Sequence, residues 1–102
     1  MNTKPPDGQA VDHNDLNVQV RYLAAGKPYL EPKANGNDTL AQLKSRTLVH
    51  FGLAEEDVAG GRKEYALSFD GEIQRNLLIS LNEIANGKHH IQFTLVEQFI
   101  QG

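Results

Sequence analysis

Cysteine is absent from the 102 residues, and so is tryptophan. The first absence excludes disulfides, thiol catalysis and thiolate metal sites, so stability must come from packing. Long apolar runs are missing too. No stretch of about 18 apolar residues occurs and no charged start leads into an apolar segment, so neither a membrane helix nor a secretory leader is expected. Ten Lys and Arg stand against thirteen Asp and Glu, a net charge of −3, and no basic run occurs. Phosphate binding therefore lacks electrostatic support, and nucleic acid is not an expected partner. One small cytoplasmic domain, with no membrane partner, is the resulting expectation.

Residues 1–15 combine a proline pair, an Asp-Gly step and several Asn and Asp, with Val11 the sizeable aliphatic after Met1. Such a segment buries too little apolar area to offset the entropy of ordering, and it reads as a mobile tail. The pattern changes at Leu16. Leu16, Val18, Val20 and Tyr22 alternate with Asn17, Gln19 and Arg21, the period of a strand with one buried face. A turn at Gly26 leads to a second strand over residues 29–34, with Leu30, Pro32 and Ala34 assigned to one side. Pro32 has no N–H to donate, which places this strand at an edge of the sheet.

The clearest helix signal follows. Thr39 with Gln42 forms a capping box, Leu40, Leu43, Thr47, Leu48 and Phe51 recur at helical spacing, and Gly52 supplies a left-handed stop. The apolar stripe should cover the sheet. Glu55, Glu56 and Asp57 read as a solvated loop or helix end, and Gly60 and Gly61 as a flexible connection. Tyr65, Leu67 and Phe69 then alternate into the core as a third strand, ending at a tight Asp70-Gly71 turn. Residues 76–88 resemble a turn of helix or a packed loop. Ile91, Phe93 and Leu95 point one way and Gln92, Thr94 and Val96 the other, giving the last strand.

Residues of catalytic type are sparse. His89 and His90 are adjacent in a strand, so their side chains face opposite ways and cannot chelate one metal ion. The carboxylates at residues 55–57 have no second group of catalytic type beside them. The glycine-rich stretch at residues 59–63 lacks the spacing and the Lys-Ser/Thr ending of a phosphate loop. Neither enzymatic activity nor a metal or cofactor is expected.

Strand, turn, strand, helix, strand, short strand, irregular segment, strand is the order of the ubiquitin-like β-grasp fold, and short stretches resemble that family. "DTLAQLKSR" at residues 38–46 is similar to the entry of the ubiquitin helix, "ALSFDG" at 66–71 to its third strand and turn, and "LISLNEIA" at 78–85 to its short irregular segment. The resemblance implies an α+β fold with a mixed sheet of about four to five strands and one main helix packed across one face. It implies a domain over residues 16–98 and a projecting C-terminal tail over residues 99–102.

The same resemblance implies a protein modifier. Its C-terminal glycine carboxylate, here Gly102, would be activated with ATP by a partner enzyme and joined to an amine on a target protein. Glycine suits this role because an acyl carbon without a neighbouring Cβ passes through a narrow channel and accepts attack unhindered. Phe99, Ile100 and Gln101 become candidates for tail recognition, and Ser68, His90 and Gln92 for a binding surface. Ser68 matches an isoleucine at the centre of ubiquitin's apolar patch, so ordinary ubiquitin receptors should bind poorly. Gln101 precedes Gly102 where paired glycines are usual, and Glu97 and Gln98 stand where ubiquitin is basic. These departures resemble the divergent bacterial modifiers, which implies dedicated activating and conjugating enzymes and a deconjugating protease as partners. A non-covalent binding module is the alternative, docking through its sheet or through residues 29–34 as an edge open to a partner strand. A sulfur carrier of the same fold is a third.

Overall fold

The computed structural model describes residues 16–102; the tail assigned to residues 1–15 lies outside the described residues. The alternation from Leu16 forms β1 (Leu16–Tyr22), which buries Leu16, Val18 and Val20 on one face. It pairs antiparallel with β2 (Tyr29–Ala34), which forms one edge of the sheet, where the donor missing at Pro32 is tolerated. The register shifts between Leu16 and Val18: Leu16 faces Ala34 while Val18 faces Glu31. This bulge changes the phase of β2. Ala34 is buried, but Leu30 and Pro32 are exposed, and Tyr29 and Glu31 are half-buried instead. The expectation that Leu30, Pro32 and Ala34 share one side is corrected accordingly.

Helix α1 (Leu40–Phe51) begins as its sequence dictates. Thr39 accepts from the Gln42 N–H while the Gln42 side chain accepts from the Thr39 N–H, completing the capping box. Gly52 ends the helix in the left-handed region, with φ of 69°. Leu40, Leu43 and Thr47 are buried against the sheet, and Leu48 and Phe51 pack at the margin of the core. Thr47 satisfies its buried hydroxyl by donating to the Leu43 carbonyl at 2.8 Å.

The polar segment after α1 is not a loop throughout. β3 (Glu56–Val58) pairs antiparallel with the start of β4 (Gly61–Phe69), and Ala59 and Gly60 form the turn between them. β4 thus begins at the second glycine of what reads in the sequence as a flexible connection. Asp70 and Gly71, both at positive φ (52° and 83°), turn the chain into β5 (Glu72–Ile73), which pairs back onto β4. Residues 76–88 contain the short helix α2 (Leu81–Ala85), capped by Ser80 and Glu83 in a second capping box. The two helix starts satisfy each other's loops. Leu40 and Ala41 donate to the carbonyls of Ile79 and Leu77, while Leu81 and Asn82 donate to those of Asp38 and Gly36.

β6 (His90–Gln101) runs parallel to β1 and antiparallel to β4, giving a described sheet of six strands in the order β2, β1, β6, β4, β3, with β5 also on β4. The sheet is mixed, as the resemblance implies, and has more strands than expected. Phe93, Leu67, Val18, Val20, Leu40, Leu43 and Leu81 form the fully covered centre between sheet and helices. Each such side chain contributes roughly 1.5–3 kcal/mol relative to leaving it exposed. Among the described residues, no helix is long and apolar enough to cross a membrane.

Candidate functional site

The residues proposed from the sequence lie in two places, the end of β6 and the sheet face turned away from the helices. Along β6, Ile91, Phe93 and Leu95 enter the core. Beyond Leu95 the inward positions change character. Glu97 accepts a hydrogen bond from the Tyr65 hydroxyl at 3.3 Å, and Phe99 is 57 % exposed. Tyr65 is itself buried, and this burial, with Tyr22 and the Glu97 carboxylate beside it, pushes its phenol up to about 12.

Residues 99–102 do not project as a tail. Phe99, Ile100 and Gln101 pair with Lys63, Arg62 and Gly61 in the last rungs of the β4–β6 ladder, and the Gly102 N–H donates to the Gly60 carbonyl at 3.0 Å. The boundary expected after residue 98 therefore falls inside a strand. The physical reason lies in β4: starting at Gly61, it offers three more backbone partners than the sequence reading allowed. β3 supports β4 from the other side through Glu56 paired with Lys63 at 3.3 Å and Asp57 with Arg62 at 3.1 Å. Arg62 also reaches Glu64 at 3.1 Å.

The carboxylates of residues 55–57 are each engaged by a cation. Glu55 bonds Lys44 at 2.8 Å and accepts from the Tyr65 N–H at 2.8 Å. Burial opposes its charge, but these bonds outweigh burial and hold the carboxyl below its ordinary value. The reading of this segment as solvated is thus corrected at Glu55, which anchors α1 and β4 to each other. Among the described residues, no group of three or more His, Asp or Glu is placed to hold a metal ion.

On the outer face, Ser68 stands opposite Thr94, whose other neighbour is Arg21. Gln92 lies opposite Gln19 and His90 opposite Asn17. His90 is four residues along β6 from Thr94, about 13 Å at the usual strand rise, so it does not join Ser68 in one contact patch. The structure brings other residues to that place. Ala66 faces Val96 in the row next to Ser68 and Thr94. A concavity of about 360 Å³ lined by Gln19, Arg21 and the turn after β1 adjoins them, with Leu23 of that turn 86 % exposed. Arg21, Val96 and Leu23 were missed because only strand pairing decides which outward residues become neighbours. The outward alternation of Val96 was the available signal.

No protein-family model matches the chain, and no curated protein matches it. Solved structures do. The ubiquitin of Caldiarchaeum subterraneum superposes with a TM-score of 0.60 at 12 % identity, covering 85 % of this chain and 98 % of its own. The UBL domain of yeast Ddi1 superposes with a TM-score of 0.60 at 12 % identity, covering 90 % of this chain and 99 % of its own. With a mixed sheet, one main helix across one face and these two likenesses, the chain has the ubiquitin-like β-grasp fold.

Proposed function

We propose that the protein is a ubiquitin-like modifier whose Gly102 carboxylate is activated with ATP by a partner enzyme and joined to amines on target proteins. The observation that carries this reading is the position of Gly102. It stands exposed at the end of β6, beyond the last core residue of that strand, without a side chain and with one backbone hydrogen bond of its own to Gly60. Releasing residues 99–102 leaves Ile91, Phe93 and Leu95 seated, so the acyl group can be presented without unfolding the domain. The chain supplies the carboxylate and a recognition surface; its partners supply the catalysis. Phe99, Ile100 and Gln101 are the residues that the activating enzyme would grip.

The test is a blot and mass spectrum from native cells expressing N-terminally tagged protein with and without Gly102. Higher-mass adducts joined through the Gly102 carboxylate to lysine, and lost on deleting Gly102, are the expected result. Free protein in both cases, with the partner enzymes shown to be present, overturns it.

A second reading, non-covalent docking, is favoured by one specific observation. The outer sheet face gathers Ala66 and Val96 beside Ser68, Thr94 and Arg21, next to the exposed Leu23. Under that reading Arg21→Glu abolishes partner binding, whereas deleting Gly102 leaves it unchanged.

A further inference from the structure

Phe99, Ile100 and Gln101 are exposed through their side chains yet bound through their backbones, and they are bound at a corner that tolerates no side chain. A Cβ at Gly61 would lie 2.1 Å from the Ile100 carbonyl oxygen and 2.8 Å from Phe99 Cζ. The space that a side chain would fill is thus taken by the last strand itself. Gly60, with φ of 84°, makes the turn that aims its carbonyl at the Gly102 N–H.

We propose that Gly60 and Gly61 form a latch that holds residues 99–102 in the sheet, and that the latch opens before Gly102 enters a partner enzyme. The second half rests on the modifier reading; the latch itself does not. An extended segment paired along β4 cannot thread a narrow channel, because one side of its backbone is already covered. Opening is local. The arm formed by β3, the start of β4 and the end of β6 contributes none of the buried core residues, so its closure depends on ladder hydrogen bonds, surface ion pairs and the Phe99 ring against the glycines. Such elements open at the low end of a protein's stability range. A side chain at Gly61 would shift the arm towards the open state by steric exclusion alone.

The full chain, treated with a carboxypeptidase and followed by mass spectrometry, tests this without any cognate partner, because trimming requires the tail to leave the sheet. When opening and closing are fast, trimming follows the open population. Gly61→Val should be trimmed on the order of tenfold faster than the native chain, equivalent to about 1.4 kcal/mol of lost closure. Gly26→Ala, at a position with nothing within 4 Å of the new Cβ, should be trimmed at the native rate. A second arm avoids new bulk at Gly61. Lys63 and Phe99 are direct partners, within disulfide reach at about 4.5–5.5 Å between opposed Cα atoms, and the chain has no other cysteine. The variant carrying Lys63→Cys and Phe99→Cys should resist trimming when oxidised and lose that resistance on reduction. Equal rates for native and Gly61→Val chains, or for the oxidised and reduced pair, overturn the latch. Should Gly61→Val unfold, the disulfide comparison decides. A failure of the modifier reading shows elsewhere, as absent Gly102-dependent adducts with these trimming ratios intact.

Discussion

Replacing Glu31 with alanine removes a carboxylate that ties the outermost strand to the helix. Its oxygens accept from Arg46 Nε at 2.7 Å and Nη2 at 3.0 Å and from the Tyr29 hydroxyl, while Arg46 keeps Asp38 at 3.1 Å as a further partner. Breaking a fully buried pair from one side costs about 3–5 kcal/mol, and an exposed pair is worth about 0–1. The Glu31 side chain is 13 % exposed and that of Arg46 37 %, so solvent screens the pair on one side only. The cost of Glu31→Ala should be about 1–2 kcal/mol, and a double-mutant cycle with Arg46→Ala should show coupling of about 1 kcal/mol. Urea unfolding followed by circular dichroism measures both.

Acid adds a second check on the same pair. Burial pushes the Glu31 carboxyl up, but hydrogen bonds from Arg46 and Tyr29 and the Arg46 charge outweigh burial, so the folded value lies below the ordinary one. A depressed folded value means that the contribution is complete above the unfolded value of about 4.3 and is lost as pH falls through the folded value. The coupling should therefore be constant between about pH 7 and pH 5 and fade below about pH 4. Coupling under about 0.3 kcal/mol at neutral pH, or coupling unchanged in acid, would refute the reasoning.

Phe93→Ala, at a fully buried ring that contacts Phe69 at 5.6 Å between centroids, should cost about 3–5 kcal/mol in urea unfolding. Phe99→Ala should change global stability by less than about 0.5 kcal/mol, since its ring lies outside the core. Thr39→Ala should cost about 1 kcal/mol by thermal unfolding, because it leaves the Gln42 N–H without its cap. Tyr65 should ionise near 12 in an ultraviolet titration. Its raised folded value means that its stabilising contribution is complete below about pH 10 and is lost as pH rises through the folded value; ionisation at the ordinary value of about 10 while the folded circular dichroism signal persists would contradict its burial.

Much of the fold was legible because its signals act over a few residues. The alternation of Leu16, Val18 and Val20, the Thr39 box, the Gly52 stop and the Asp70-Gly71 turn each work within one strand or one helical turn. The edge position of β2 followed from a single missing donor at Pro32. The candidate site was less legible. Ser68, His90 and Gln92 were nominated together as a binding surface, but alternation gives a face and not a neighbour, and the register keeps His90 apart from Ser68.

By itself, the sequence determined the bounds of β1, β2 and the main helix, and which residues of β1 and of the helix could be buried, because these follow from hydrogen bonds and periodicity within each segment. Tertiary structure alone decided three things. The bulge opposite Leu16 and Val18 turned Glu31 inward towards Arg46. The acidic stretch from Glu56 became a strand, because residues 61–63 offered it a backbone to pair with. Residues 99–101 joined the sheet because Gly61 leaves room for the Ile100 carbonyl. Each depends on groups distant in sequence coming within hydrogen-bond reach, and no local propensity encodes that approach.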